Sequence, residues 1–487
     1  MEPLTWSGDL GTFLNPLMGF AVALFVAGFV ANFALVLAGQ RPGEMVVNAD
    51  HTLSLQRTPV DFALMAMKYA VLVLVLGVVG YIIGGMVLAD PTRSGILGAM
   101  AARLTPVWLS LVALFAVSIT FKRRLGLYGK LFDSPIGMVG FGLVMFWIFT
   151  AAFSGMVATH GPITVISQMR NQLPGSPLPN PTEGQYGWYL LGADNLGRDV
   201  FSRVIYGAFE VLKIAPLATV FAFMVGITLG LPAGYYGGRL DTVITFLANL
   251  VLAFPVILLF YLLVTPEIVA AGIPNYLSMV LFIFPIIFFV VLFNSRFRTD
   301  PPRRNLLVGA TVILGGVAYL SLISNPSDPN LPWLFRLWPE MLDLFDIPGN
   351  LLIVFVSVVF VNSPTVFRIV RGIVLDIKTR DYVAAGQTRG EGPWYIMLWE
   401  ILPNARGPLI VDFCLRIGYT TILLGTLGFF GLGVSPESPD WGSTINEGRR
   451  LLTVYPHPAL PPALALMSLV LGLNLLADGL REESLKD

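Results

Sequence analysis

Phe62–Leu88 reads FALMAMKYAVLVLVLGVVGYIIGGMVL, an apolar run long enough to cross a bilayer as one helix. A helical span needs about 20 mainly apolar residues to cover roughly 30 Å of hydrocarbon. Inside lipid a span must satisfy its own backbone hydrogen bonds, so helix is the expected form. Similar runs recur along the chain. They place spans at Leu17–Leu37, Phe62–Leu88, Pro106–Phe121, Pro135–Val157, Val211–Gly230, Val243–Leu263, Ser278–Phe293, Leu306–Leu322, Leu351–Val370, Leu409–Phe430 and Pro462–Leu480. Pro255 and Pro285 do not veto their spans, because neighbouring helices can satisfy a freed carbonyl.

Composition agrees. Of 487 residues, 55% are hydrophobic and 12% charged, about half the 25% usual in soluble domains. Mean hydropathy is +0.75 and the pI about 6.9. The alternating polarity of a membrane barrel is missing. With a formal net charge of +0, nothing points to nucleic acid as a partner. Cys414 stands alone, and His51, His160 and His457 lie far apart, so neither an internal disulfide nor a metal site is expected. The N-terminus lacks the pattern of a cleaved signal peptide, and its first apolar run is long enough to remain as a span.

Orientation follows from Lys and Arg near span ends. Three stretches are basic: Phe121–Lys130, Arg296–Arg304 and Arg368–Arg406. Counting spans puts all three on one side, which is assigned to the cytoplasm, with the C-terminus inside and the N-terminus outside. The loop Thr159–Gly207 faces outward in this scheme yet contains Arg170, Arg198 and Arg203. Pairing with Asp194 and Asp199 is expected to offset them.

Asp381–Asn404, DYVAAGQTRGEGPWYIMLWEILPN, lies between two spans on the basic side. Ala384, Ala385, Gly386 and Gly390 leave little bulk, so another surface can approach closely. Gly392-Pro393 reads as a break followed by a new helix. Trp394, Met397, Leu398, Ile401 and Leu402 then form one apolar face, and Pro403 is expected to stop the helix. The picture is a short helix–turn–helix that either presents a small-residue surface to a partner or is simply a solvated interfacial loop.

This segment resembles the cytoplasmic loop of ABC importer permeases, E-A-A-x3-G-x9-I-x-L-P. Gly390 and Leu402-Pro403 keep the spacing. Ala384 replaces the usual Glu, Gly386 the second Ala, and Glu400 the Ile. By that resemblance Asp381, Tyr382, Ala384, Ala385, Gly386, Gly390, Leu402, Pro403 and Asn404 form the ATPase-coupling loop.

Further blocks resemble the C-type subunit of dipeptide, oligopeptide and nickel permeases, in the same order. Leu191–Gly207, LGADNLGRDVFSRVIYG, carries Gly192, Asp194, Gly197, Arg198, Asp199, Ser202 and Arg203. Ala233–Asp241, AGYYGGRLD, carries Gly237, Gly238 and Asp241. Phe254-Pro255, Phe429–Gly433, Trp441-Gly442 within PDWG, and Asn474 and Asp478 within NLLADGLR follow. Each block has a plainer reading: turn glycines, an ion-pair cluster of Asp194, Arg198 and Asp199 at the membrane rim, an interfacial anchor at Trp441. Asp412 and Arg416, at i,i+4, are expected to pair.

The resemblance implies an all-α polytopic membrane protein: a type I ABC importer permease core of six helices with about five additional ones. Residues 1–120 are an extra N-terminal region of three spans. Residues 121–265 hold the first part of the core, 266–348 an inserted hairpin with an outer loop, and 349–487 the second part with the coupling loop. No G-x-x-x-x-G-K-[ST] phosphate loop occurs, so the chain is expected to bind no ATP or other cofactor and to rely on ATP used by partners. The implied partners are a second homologous permease, two cytoplasmic ABC ATPase subunits or domains, an external solute-binding protein and the lipid bilayer. The implied place is the bacterial inner membrane, and the implied cargo is peptides or related solutes. A non-transporting scaffold and an ion-coupled secondary transporter are the alternatives; the latter needs buried ionisable groups at mid-membrane.

Overall fold

The computed structural model describes residues 2–43, 45–47, 53–55, 58–88, 90–324, 349–432 and 437–484. His51, the outer loop of the inserted region, Gly433 and Lys486 lie outside them. Ten helices among the described residues are long and apolar enough to cross a bilayer, and a pair bent by 84° makes an eleventh if it is counted as one span. The ten overlap ten of the runs found in the sequence, and the bent pair overlaps the remaining one, Val243–Leu263. Contacts divide the chain into two compact units, Met1–Leu109 with Met156–Phe201, and Ser110–Gly155 with Ser202–Asp487.

In the first unit, α1 (Leu10–Leu37) and α2 (Pro59–Leu88) pack as a hairpin. Small residues make the close approach possible: a Cβ at Gly28 would stand 2.9 Å from Met67 Cγ, and one at Gly77 2.6 Å from Met18 Cγ. Helix α3 (Pro91–Arg103) follows, with Asp90 as N-cap and Pro91 in its first turn. Its Thr92 contacts hold the exposed Asp90 carboxyl below the usual range.

The N-terminal residues do not hang free. Ile96 N–H donates to Thr5 O at 2.9 Å, Leu97 N–H to Trp6 O at 3.0 Å and Asp9 N–H to Arg93 O at 2.7 Å. Leu4 N–H reaches Gly175 O at 2.9 Å, and Trp188 Nε1 reaches Glu2 O at 3.1 Å. The segment therefore runs as a strap from α3 to the 158–199 loop. A short antiparallel pair, β3 (Ser176–Pro177) with β4 (Trp188–Tyr189), shapes that loop; the other pair, β1 (Met45–Val47) with β2 (Leu53–Leu55), joins α1 to α2. The Arg103 guanidinium donates to the carbonyls of Met156, Val157 and Ala158 at 2.5–3.0 Å. It also lies 5.7 Å from the Tyr186 ring centroid. Burial pushes the Tyr186 phenol up to about 12, against the pull of Arg103.

The chain continues through α4 (Thr105–Phe121) and α5 (Pro135–Ala152) to α6 (Val200–Tyr236). At 37 residues α6 is far longer than the predicted span, about 55 Å at 1.5 Å per residue. It takes in Val200–Gly207, so the helix begins inside the segment that hydropathy alone assigns to the preceding loop. Helix α7 (Gly238–Ala253) meets α8 (Val256–Val264) at 84°. Thus the sixth predicted span is broken at Phe254-Pro255. Pro255 has no N–H and drives the preceding residue extended, and Phe254 sits at ψ 134°.

Helices α9 (Ile273–Leu281) and α10 (Ile283–Arg296) return, α11 (Pro301–Ile323) leaves, and α12 (Gly349–Ile377) returns. The core of the second unit is a ridge fitted into a groove. Gly226, Gly230 and Gly234 on α6, each four residues on, receive Val366, Val370 and Val374 on α12. A Cβ at Gly230 would lie only 2.8 Å from Val370 Cβ. Helix α14 (Arg406–Phe429) packs on α16 (Leu460–Ser484), and α16 packs on α5 where Gly137 faces Gly479. The short α15 (Trp441–Arg449) lies between them in the sequence.

The three basic stretches come to one end of this unit. Leu131 and Phe132, just after the first, share a cluster with Val411 and Leu480. Ser295, just before the second, accepts Trp399 Nε1 at 3.0 Å. In the third, Arg371 forks onto Asp241.

Candidate functional site

The segment 381–404 sits at this basic end as two packed arms. The first, α13 (Asp381–Thr388), begins with Asp381 where the helix dipole favours an acid. It closes on a glycine cap. Gly390 has φ +76°, its N–H donates to Gln387 O at 2.9 Å, and Glu391 N–H donates to Gly386 O at 3.3 Å. Gly390 is therefore required by conformation, and open space surrounds it.

Pro393 opens the second arm, which runs to Asn404 through a π turn at Ile396–Ile401. Pro403 does not stop this arm at Leu402 as expected: the wider turn precedes it, Pro needs no donor there, and helix continues through Asn404. Ile396, Met397, Leu398 and Ile401 are buried with Val383 of α13 and with Phe223, Val370 and Ile377 of α6 and α12. Leu402 is only partly buried against that cluster, as are Trp394 and the α10 residues Phe288, Val291 and Leu292.

Gly386 is buried and faces inward, where a Cβ would meet Glu400 Cγ at 3.6 Å. The outward surface belongs to Asp381, Tyr382, Ala384 and Ala385, with Pro403 and Asn404 exposed on the second arm. Glu400 accepts Arg389 Nη2 at 2.6 Å and so ties the arms together. The two are eleven residues apart, a separation that no local pattern marks. Gln387 Nε2 reaches Tyr235 OH at 3.2 Å, and Lys378 Nζ reaches Gly234 O at 2.9 Å. A cavity of about 550 Å³ opens beside the element between Asp376, Arg380, Tyr382, Asn404 and Pro408.

In the turn before the element's supporting helices, Gly237 and Gly238 have φ +67° and +61°. Asp241 then receives Arg371 Nε and Nη2, the latter at 2.6 Å, and Thr245 Oγ1 at 3.1 Å. The start of α7 is thus clamped to the end of α12 that leads into the two arms.

The outer block forms separate clusters. Asp194 Oδ1 accepts the N–H groups of Leu196 and Arg198, both at 2.9 Å, and Oδ2 accepts Arg198 Nε at 2.7 Å. Both side chains are buried. Gly192 and Gly197 have positive φ, and Gly197 lies against Ile166 O. Asp199 takes Thr159 Oγ1 at 2.6 Å and His160 Nδ1 at 3.3 Å. The Asp194–Arg198 pairing offsets the charge of Arg198.

Ser202 and Arg203 belong to the second unit and are fully buried. Arg203 Nη2 donates to Ser438 O at 3.0 Å and Thr444 Oγ1 at 3.1 Å and lies 3.4 Å from Glu447. Trp441 is no interfacial anchor: it is 0% exposed, donates Nε1 to Val204 O at 2.9 Å and stands edge-on to Trp147 at 5.0 Å. Its indole sits on Gly207, where a side chain would block it, and Gly442 is pressed equally closely against Gly425. Asp440 caps α15, and its burial raises the carboxyl above its ordinary value despite the Ser443 contacts and nearby Arg203. Asp412 and Arg416 pair at 3.2 Å as expected. Asn474 and Asp478 lie on the exposed face of α16, Asp478 being 3.6 Å from Arg481.

Fold and site together define a polytopic helical membrane subunit whose long spans converge on a compact, packed two-armed element. The family described as binding-protein-dependent transport system inner membrane component matches residues 226–482, more than half of the chain. The chain belongs to that family, as a multi-pass inner-membrane permease of an ABC importer. It is 29% identical over 300 residues to the glutathione transport system permease protein GsiD of Pectobacterium atrosepticum, covering 62% of this chain and 73% of that one. It is 26% identical over 327 residues to the dipeptide transport system permease protein DppC of Alkalihalophilus pseudofirmus, covering 67% and 80%. The DppC of Haemophilus influenzae is 29% identical over 300 residues, covering 62% and 75%.

Proposed function

We infer that this permease carries peptides or related small solutes into the cytoplasm and takes its power stroke through residues 381–404. The carrying observation is mechanical. The exposed Ala384–Ala385 surface is one side of an element whose other side is fused to the ends of α6, α10 and α12. A displacement imposed on the small-residue surface passes to three helices at once, because packed interfaces switch between discrete arrangements rather than deform. Asp381, Tyr382, Pro403 and Asn404 border that surface, Gly390 fixes the turn, and Gly386 and Leu402 join the arms.

The partners follow from the same reading: two ATPase subunits or domains on the basic, cytoplasmic side, and an external binding protein. A second permease would cover the polar Asn474 on the exposed face of α16, where lipid would penalise it. The cargo class rests on the named activities of the relatives, and selectivity is assigned mainly to the binding protein. Residues 1–120 and 266–348 are additions to the six-helix core.

Ala385→Trp in reconstituted vesicles tests the coupling. ATP-driven uptake should be lost while membrane insertion and folding are retained, and a cysteine at Ala385 should cross-link to an ATPase subunit. Normal uptake by Ala385→Trp would remove the element's assigned role. Exchange of the binding protein for a relative should change the solute; an unchanged solute preference would locate selectivity in the permease instead.

A further inference from the structure

The turn between α10 and α11 carries Arg296, Arg298, Arg303 and Arg304, and none of them forms an ion pair among the described residues. Asp300, the acid within the turn, is engaged as the cap of α11, accepting Arg303 N–H at 3.3 Å. The two flanking helices are among the most apolar in the chain and bury little of their surface against protein, so this turn lies where lipid hydrocarbon ends. Arg298 and Arg304 line a cavity of about 260 Å³ whose opposite wall is Gly392, Pro393, Trp394 and Tyr395 of the coupling element. Arg296 stacks on Trp399 at 4.8 Å, and Arg303 on Phe297 at 4.7 Å. The acids nearest the cavity in sequence, Asp300 and Glu391, number two against four guanidiniums.

We propose that this cavity binds the phosphate headgroup of an anionic phospholipid of the inner leaflet, and that the bound lipid braces the coupling element. Arginine forks suit phosphate oxygens, and a basic cluster just cytoplasmic of spanning helices attracts anionic lipid. Aromatic Trp394 and Tyr395 supply the amphipathic wall favoured at headgroup level. Since Trp399 is held by both Arg296 and Ser295, occupancy of the cavity stiffens the second arm against α10.

The inference rests on the basic end being cytoplasmic, but its test needs no ATPase. The purified full chain in detergent is titrated with phosphatidylglycerol or phosphatidylcholine, and retention is read by native mass spectrometry. Phosphatidylglycerol should be retained about tenfold better. R298Q/R304Q should weaken it about 25-fold, at about fivefold per arginine. R298K/R304K should keep most of it, and R123Q/R124Q, with the same loss of charge elsewhere, should keep all of it. Equal retention of both lipids, indifference to the Gln pair, or displacement by millimolar inorganic phosphate would overturn the proposal.

Discussion

Replacing Asp241 by Asn should loosen the junction between α7 and the end of α12 while leaving every span in place. Two charge-assisted bonds join Arg371 to Asp241, and the side chains keep 30% and 16% exposure. Such bonds contribute about 1.5–3 kcal/mol each when shielded. Residual water and salt push this pair toward the lower end, so the fork as a whole is worth roughly 2–3 kcal/mol. Asn retains shape and one acceptor, so Asp241→Asn alone should cost about 1–2 kcal/mol. Arg371→Lys should cost a similar amount, because a point charge cannot fork. The assay is a double-mutant cycle of Asp241→Asn and Arg371→Gln, with equilibrium unfolding followed in mixed micelles. A coupling of about 2 kcal/mol, roughly thirtyfold in the unfolding constant, is expected. Coupling below about 0.5 kcal/mol would show that the fork contributes little to holding α7 on α12.

Gly230→Leu should force α6 and α12 apart, because even its Cβ would stand 2.8 Å from Val370 Cβ; yield of folded protein in detergent should collapse, whereas Gly309→Leu, at an open position, should be neutral. Trp441→Phe removes the bond to Val204 O and part of the packing on Trp147, and should lower stability by about 1–3 kcal/mol in a thermal-shift series. Arg103→Gln abandons the carbonyls of Met156, Val157 and Ala158, and should open the 158–199 loop to limited proteolysis at least tenfold faster, with the spans unaffected.

The spans were legible because lipid imposes a simple rule on sequence: about 20 apolar residues with internal hydrogen bonding. The break at Phe254-Pro255 was visible as residues, yet a span can bend or stay straight at a proline according to its neighbours, and only packing decides. The two-armed element was legible from Gly392-Pro393 and the apolar spacing. Which side of its first arm faced outward was not: Gly386 and Ala385 are adjacent and similarly small, and the choice depends on Ile396 and Glu400 across the turn. Trp441 misled for a related reason, since an amphipathic ring suits an interface equally well as a buried slot over Gly207. Arg371–Asp241 and Arg389–Glu400 pair over long or irregular separations, and neither periodicity nor charge counting identifies such partners.

The strap at residues 2–9 has a consequence for biosynthesis. Leu4 is made about 170 residues before Gly175, to which it finally bonds, an interval of roughly 10–35 s at the usual pace of translation. During that wait the early backbone must already have crossed to the side where the 158–199 loop will emerge. A bulky fusion ahead of Glu2 would therefore interfere with closing a tie whose second half does not yet exist, and a carboxyl-terminal fusion would not.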